Sequence, residues 1–211
     1  CAALLDQAPG LFSAASVNTV DGDGMTALHS AAFNGHAGVC AALLDQAPGL
    51  FSAASVNAVD YEGTTALHIA AAEGHAGVCA ALLDKAPALF TAASVNAVDK
   101  DGKTALHCAA AKGLAGVCAA LLDKPDLFAA GVNAKDNNGM TALDFARGGD
   151  GACEAALERR GATAGFPALL KPGDRVEIEK DYYGDWRPGK VVRANGDGTY
   201  YVEYHLRWYD R

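Results

Sequence analysis

Three histidines, His29, His68 and His107, recur 39 residues apart, and four cysteines, Cys1, Cys40, Cys79 and Cys118, keep the same interval. Imidazole and thiolate are zinc ligands, so a metal ladder is the first chemistry to weigh. Zinc holds its ligands at about 2.0–2.3 Å, which crowds them around one point. Side chains that recur once per structural unit stand a unit apart and cannot converge in this way. The histidines therefore read as hydrogen-bonding braces between a turn and its helix. His36 and His75 read as the starts of second helices.

Carboxylates offer no better catalyst. Asp99 and Asp101 sit on a turn tip open to water, where nothing would raise a pKa for proton transfer. The chain carries no G-x-x-x-x-G-K-S/T, G-x-S-x-G, H-E-x-x-H or C-x-x-C pattern. It reads as a non-enzyme with no cofactor and no metal.

The elements that position these residues are near-copies of one another. VCAALLDQAPGLFSAASVNAVDYEGTTALHIAAAEGHAG runs into VCAALLDKAPALFTAASVNAVDKDGKTALHCAAAKGLAG. A fixed period in this range marks a solenoid, whose units bury apolar surface only against their neighbours. Each unit begins with a Gly-bearing turn: 21–24, 61–63, 100–102 and 137–139. Thr26, Thr65, Thr104 or Thr141 then caps a first helix, which stops near Gly35, Gly74 and Gly113. A second helix carries Val39, Cys40, Leu43 and Leu44 at helical spacing. Proline at 48, 87 or 125 is expected to end it.

The pattern D-x-x-G-x-T-A-L-H-x-A-A-x-x-G-H…V…L-L…V-N-A resembles the ankyrin repeat. It covers residues 1–164, as one partial unit and four repeats. Ala27, Ala66, Ala105 and Ala142 stand where that family usually has proline, and the period exceeds its usual value of about 33. The excess lies in the connector P-G-L-F-S-A-A-S. Its apolar pairs, Leu11 and Phe12, Leu50 and Phe51, Leu89 and Phe90, Leu127 and Phe128, are expected in short helices that extend the core rather than on an exposed ledge. Glu154, Glu158, Arg159 and Arg160 make the last helix polar, as a terminal cap requires. The chain opens at Cys1 within a second helix, so further repeats are expected upstream.

Charge is uneven. Residues 1–165 hold 9 Lys/Arg against 17 Asp/Glu, while residues 166–211 hold 8 of each. An acidic stack disfavours nucleic acid, and no apolar run approaches the roughly 18 residues of a membrane span. Stacked cysteines at one repeat position are expected about 8–10 Å apart, beyond the roughly 7 Å reach of a disulfide. They read as buried thiols in a reducing compartment, which places the protein in the cytoplasm or nucleus.

Residues 166–211 form a second domain, in which both tryptophans and six of seven tyrosines fall between 182 and 209. Strands are expected over 175–180, 186–194 and 199–205, with Asn195 to Gly198 as a hairpin turn. The string L-K-P-G-D-R-V-E…W-R-P-G-K-V-V…N-G-D-G-T-Y-Y-V-E-Y is similar to Tudor-like and Agenet-like modules, small all-β SH3-like barrels. That resemblance implies aromatic-cage positions at Tyr204 and Trp208, with Tyr182 or Tyr183 supporting them from a loop. Lys180 and Arg187 stand where such a cage would want further aromatics. The chain stops at Arg211, about where a fourth strand would begin, which would leave the barrel incomplete.

The expected architecture is thus mainly α, an ankyrin-type helix-turn-helix solenoid followed by the β module. In ankyrin-like stacks the variable turn tips and first helices line the concave, partner-facing side. Here these are Asp23, Met25, Tyr61, Glu62, Lys100, Asp101, Lys103, Asn137 and Asn138 on the tips, and Phe33, Asn34, Ile69, Glu73 and Lys112 on the helices. The leading expectation is a monomeric adaptor that binds a protein or peptide there and makes a second contact through the β module. One alternative is a chromatin reader that takes a methylated lysine or arginine peptide. Another is the targeting arm of a larger enzyme.

Overall fold

In the computed structural model the described residues are 13–45, 51–85, 89–147, 151–164 and the strand segments 175–178, 187–194 and 200–203. The chain divides into two compact units, Cys1–Gly165 and Phe166–Arg211.

Each repeat of the first unit opens on a finger closed by an aspartate. Asp60 Oδ1 accepts the N–H groups of Glu62 and Thr64, each at 2.9 Å. Asp21, Asp99 and Asp136 make the same pair of bonds in their own fingers. The finger then turns through Gly63 at φ +79°, a conformation that penalises any Cβ. Backbone bonds tie successive fingers together: Tyr61 N–H to Asp23 O at 3.1 Å, Lys100 N–H to Glu62 O at 3.1 Å and Asn137 N–H to Asp101 O at 3.0 Å.

The threonine after each finger caps the first helix as expected. These helices are α2 (Ala27–Phe33), α5 (Ala66–Ala72), α8 (Ala105–Ala111) and α11 (Ala142–Ala146). Their ends have a local cause. Gly35 takes φ +71°, and His36 N–H reaches back to Ala31 O at 2.9 Å, closing a Schellman turn. The second helices are α3 (Ala37–Asp45), α6 (Ala76–Lys85), α9 (Ala115–Leu122) and α12 (Ala152–Arg159). First helices pack on first helices and second on second, so each repeat roofs the one before. Leu28, Leu67, Leu106 and Leu143 fill one layer, and Leu44, Leu83, Leu122 and Leu157 another. Fully burying one such side chain stabilises by about 1.5–3 kcal/mol.

The long connectors carry a short helix each: α1 (Ala14–Val17), α4 (Ala53–Val56), α7 (Ala92–Val95) and α10 (Pro125–Phe128). Phe51, Phe90 and Phe128 are buried, so these connectors extend the core. Leu11, Phe12 and Leu50 lie outside the described residues. Pro125 differs from expectation: α9 has already ended at Leu122, and the proline begins α10. Its missing N–H costs nothing at a first helical position.

The cysteine reading needs correction. Cys118 and Cys153 are joined by a disulfide, with Cα atoms 5.9 Å apart. The 8–10 Å spacing applies to helix axes. Cα atoms lie about 2.3 Å off the axis, so two that face each other across a contact approach within bonding range. Cys40 and Cys79 remain buried thiols.

The second unit holds three strands, β1 (Arg175–Ile178), β2 (Arg187–Ala194) and β3 (Tyr200–Glu203), antiparallel in the order β1-β2-β3. Arg175 pairs with Lys190 and Ile178 with Arg187; Lys190 pairs in turn with Glu203 and Val191 with Val202. A register shift comes next, between Val191 and Arg193. Among the described residues Pro188 has a paired neighbour on the β1 side alone, a position that tolerates a missing N–H. The expected hairpin turn at 195–198 falls outside the described residues.

Candidate functional site

The finger tips and first helices form one continuous row along the repeats. Beneath them a column of polar bonds fixes the spacing. His29 Nδ1 accepts the Thr26 backbone N–H at 3.1 Å. A backbone N–H can only donate, so Nδ1 is unprotonated and the proton sits on Nε2. That Nε2–H donates to Thr64 O of the next finger at 3.2 Å. His68 does the same to Lys103 O and His107 to Met140 O, both at 3.1 Å. Burial is the largest influence on all three rings and lowers their pKa below the usual value, against opposing pulls from the carbonyls and nearby aspartates. Neutral imidazole is thus the structural form, with both nitrogens committed. In the fourth repeat Asp144 replaces histidine and accepts the Thr141 N–H at 2.9 Å and hydroxyl at 3.0 Å.

Further bonds cross the repeat junctions. The Asn57 side chain donates to Leu89 O at 3.0 Å, and Asn96 to Leu127 O at 2.8 Å. Ion pairs run from an acid in one repeat to a lysine in the next: Asp45–Lys85 at 3.1 Å, Glu62–Lys100 at 3.2 Å, Glu73–Lys112 at 3.5 Å and Asp84–Lys124 at 2.6 Å. Sequence reasoning treated Glu62, Glu73, Lys100 and Lys112 as separate partner contacts. They are two junction-spanning pairs on the same row. The 38- and 39-residue offsets within these pairs match the repeat period, and that was the available signal.

Asp23, Asn34, Asp101, Asn137 and Asn138 stand exposed on the row. Tyr61 is 65% exposed and Phe33 54%, the two largest open rings among the described residues. Met25 is half-buried, and Ile69 packs partly onto the core. Lys103 bonds Asp101 at 3.1 Å, which is the main cause of its raised pKa, and lies over the Phe145 ring at 6.0 Å from the centroid. Burial raises the Asp60 carboxyl, but bonds from the Thr64 hydroxyl and the Thr64 and Glu62 N–H groups outweigh it and leave its pKa lowered. Burial pushes the Cys40 and Cys108 thiols up to about 11 and Cys79 up to about 12, so none offers a reactive thiolate. The aromatic candidates Tyr182, Tyr183, Tyr204 and Trp208 lie outside the described residues. No helix among the described residues is long and apolar enough to cross a membrane.

Fingers, paired helices and a histidine brace at every junction define a class of repeat stack built to display a surface. The family model for ankyrin repeats (3 copies) matches residues 3–92 and 86–163, and the chain belongs to that family. Such repeats are generally protein–protein interaction modules. A comparison with curated proteins finds no match.

Proposed function

We propose that this chain is a non-catalytic adaptor that holds a protein or peptide partner along the row of fingers and first helices. One contrast carries the reading. The scaffold beneath repeats the same bonds at each junction, while the exposed positions above differ in kind: Phe33, Tyr61, Glu73, Lys100 and Asn137. A surface that changes over an unchanging support suits recognition of a sequence of side chains. Open aromatic rings are the residues that carry binding energy at protein interfaces. The β unit is proposed as a second, weaker contact that raises avidity through effective concentration. The location proposed for the protein is the cytoplasm or nucleus, and the proposed state is a monomer.

The test begins with a displayed peptide library selected on the full chain. Selected peptides are then measured against Tyr61→Ala, Phe33→Ala and Lys100→Glu. Lys100 and Glu62 are well exposed, so their pair contributes at most about 1 kcal/mol and the charge can be reversed without unfolding the stack. A tenfold or greater loss in at least one variant supports the surface. Peptides that bind all three as tightly as the original chain place recognition elsewhere.

A further inference from the structure

Cys153 completes a column. Aligned through the shortened last connector, A-C-E-A-A-L matches V-C-A-A-L-L, so Cys40, Cys79, Cys118 and Cys153 share one position of α3, α6, α9 and α12. The lower two are free thiols, and the upper two are bonded and buried. The bond sits where packing is thinnest. The helices α6 and α9 each bury four side chains, whereas α12 buries only Cys153 and Leu157. The segment after α12 is tied to residues on either side of the fourth finger, Asn133 before it and Thr141 after it. Thr163 N–H donates to Asn133 Oδ1 at 2.7 Å, and the Thr141 hydroxyl lies 3.0 Å from Thr163 O, its one proton shared between that carbonyl and Asp144 Oδ2. If α12 lifts, these bonds break and the fourth finger keeps only its bonds to the third repeat, from His107 to Met140 O and from Asn137 N–H to Asp101 O.

We propose that the Cys118–Cys153 bond is a redox-operated clamp that holds α12, and through it the fourth finger, on the stack. To close it, two thiols release two protons and two electrons to a small disulfide such as oxidised glutathione, which leaves as two thiols. A dithiol or phosphine reductant reverses the step. Exchange passes through a mixed disulfide that needs access to sulfur. With both sulfurs buried, α12 must lift before either direction proceeds, so the clamp holds its state rather than drifting with every change of redox poise. Loop-closure entropy for the 35-residue separation corresponds to roughly 600-fold in the opening equilibrium of the clamped segment. The clamp needs no partner, so it stands or falls apart from the adaptor reading.

Hydrogen exchange read by mass spectrometry on the full chain tests it. The protein is oxidised with glutathione disulfide, then reduced with tris(2-carboxyethyl)phosphine. Reduction is expected to speed exchange over 151–164 and 133–141 by on the order of a hundredfold or more, while α5 and α6 stay unchanged. Cys153→Ala and Cys118→Ala should both exchange at the reduced rate and ignore the reductant. Unchanged exchange in protein whose two thiols are shown free by alkylation would overturn the clamp. So would oxidised protein whose peptide map lacks the Cys118–Cys153 pair. A Cys153→Ala chain that still responds to reductant would overturn it too.

Discussion

His68 Nε2 lies 3.1 Å from the carbonyl oxygen of Lys103, so the residue that caps one repeat also holds the finger of the next. The same ring takes the Thr65 N–H on Nδ1 at 3.3 Å. Two nitrogens of one side chain thus couple a local cap to a contact 35 residues away. Stability in a one-dimensional array is a sum of unit and junction terms, and this ring belongs to both.

His68→Ala is therefore expected to cost about 2–3 kcal/mol, from two buried bonds lost and their partners left unpaired. Urea unfolding followed by circular dichroism measures it. A loss below about 0.5 kcal/mol would show that water replaces the ring at no cost and that the brace is incidental.

The three braces also set a pH dependence. Their folded pKa values lie below the ordinary 6.5 because burial penalises the cation. Below that value the unfolded chain binds more protons than the folded one, so stability rises with pH there. The contribution of neutral histidine is complete above about pH 7 and is lost as pH falls through about 6.5 toward the lowered folded values. Urea midpoints at pH 7.5, 6.5 and 5.5 should fall in that order, and His68→Gln should flatten the trend. A midpoint that rises on acidification would mean the rings are charged in the folded state.

Much of this architecture was legible because its causes are local. Thr65 before A-L-H, Gly63 in a finger and Gly74 after a helix each act within a few residues, and the period copies them along the chain. The strands at 175–178, 187–194 and 200–203 fall within the alternating stretches that announced them. The Cys118–Cys153 bond was not legible, because the last step is 35 residues instead of 39 and hides the shared position. The ion pairs were missed because Glu62 and Lys100 were weighed as separate contacts on two different tips, not as a pair about one period apart. The candidate row was named from position alone; that its junctions are pinned by side chains such as Asn96 required coordinates.

Gly131 shows what the shortened connector demands. It stands at the position of Ser55 and Ser94 in the earlier repeats, yet a Cβ there would fall on the Asn96 side-chain oxygen. Asn96 in turn holds Leu127 O and Ala92 O, so it cannot easily withdraw. Gly131→Ser is expected to cost about 1–3 kcal/mol through overpacking. Gly38 in α3 has open space around its missing Cβ, and Gly38→Ala should gain about 0.5 kcal/mol. Thermal melts of the two variants should move in opposite directions; a neutral Gly131→Ser would show that Asn96 has somewhere else to go.

Phe90 and Phe33 put one residue type to opposite uses. Phe90 in the long connector is 5% exposed and packs in the core, whereas Phe33 at the end of α2 is 54% exposed. Truncating a buried phenylalanine leaves a cavity as well as lost transfer energy, so Phe90→Ala should cost about 3–5 kcal/mol. Phe33→Ala should change stability by no more than about 0.5 kcal/mol, as surface substitutions do. Differential scanning calorimetry on both variants checks the contrast. If the connector were a mere spacer, Phe90→Ala would melt with the original chain. If Phe33→Ala were the damaging change, its ring would belong to the fold, and the case for it as a partner contact would be lost.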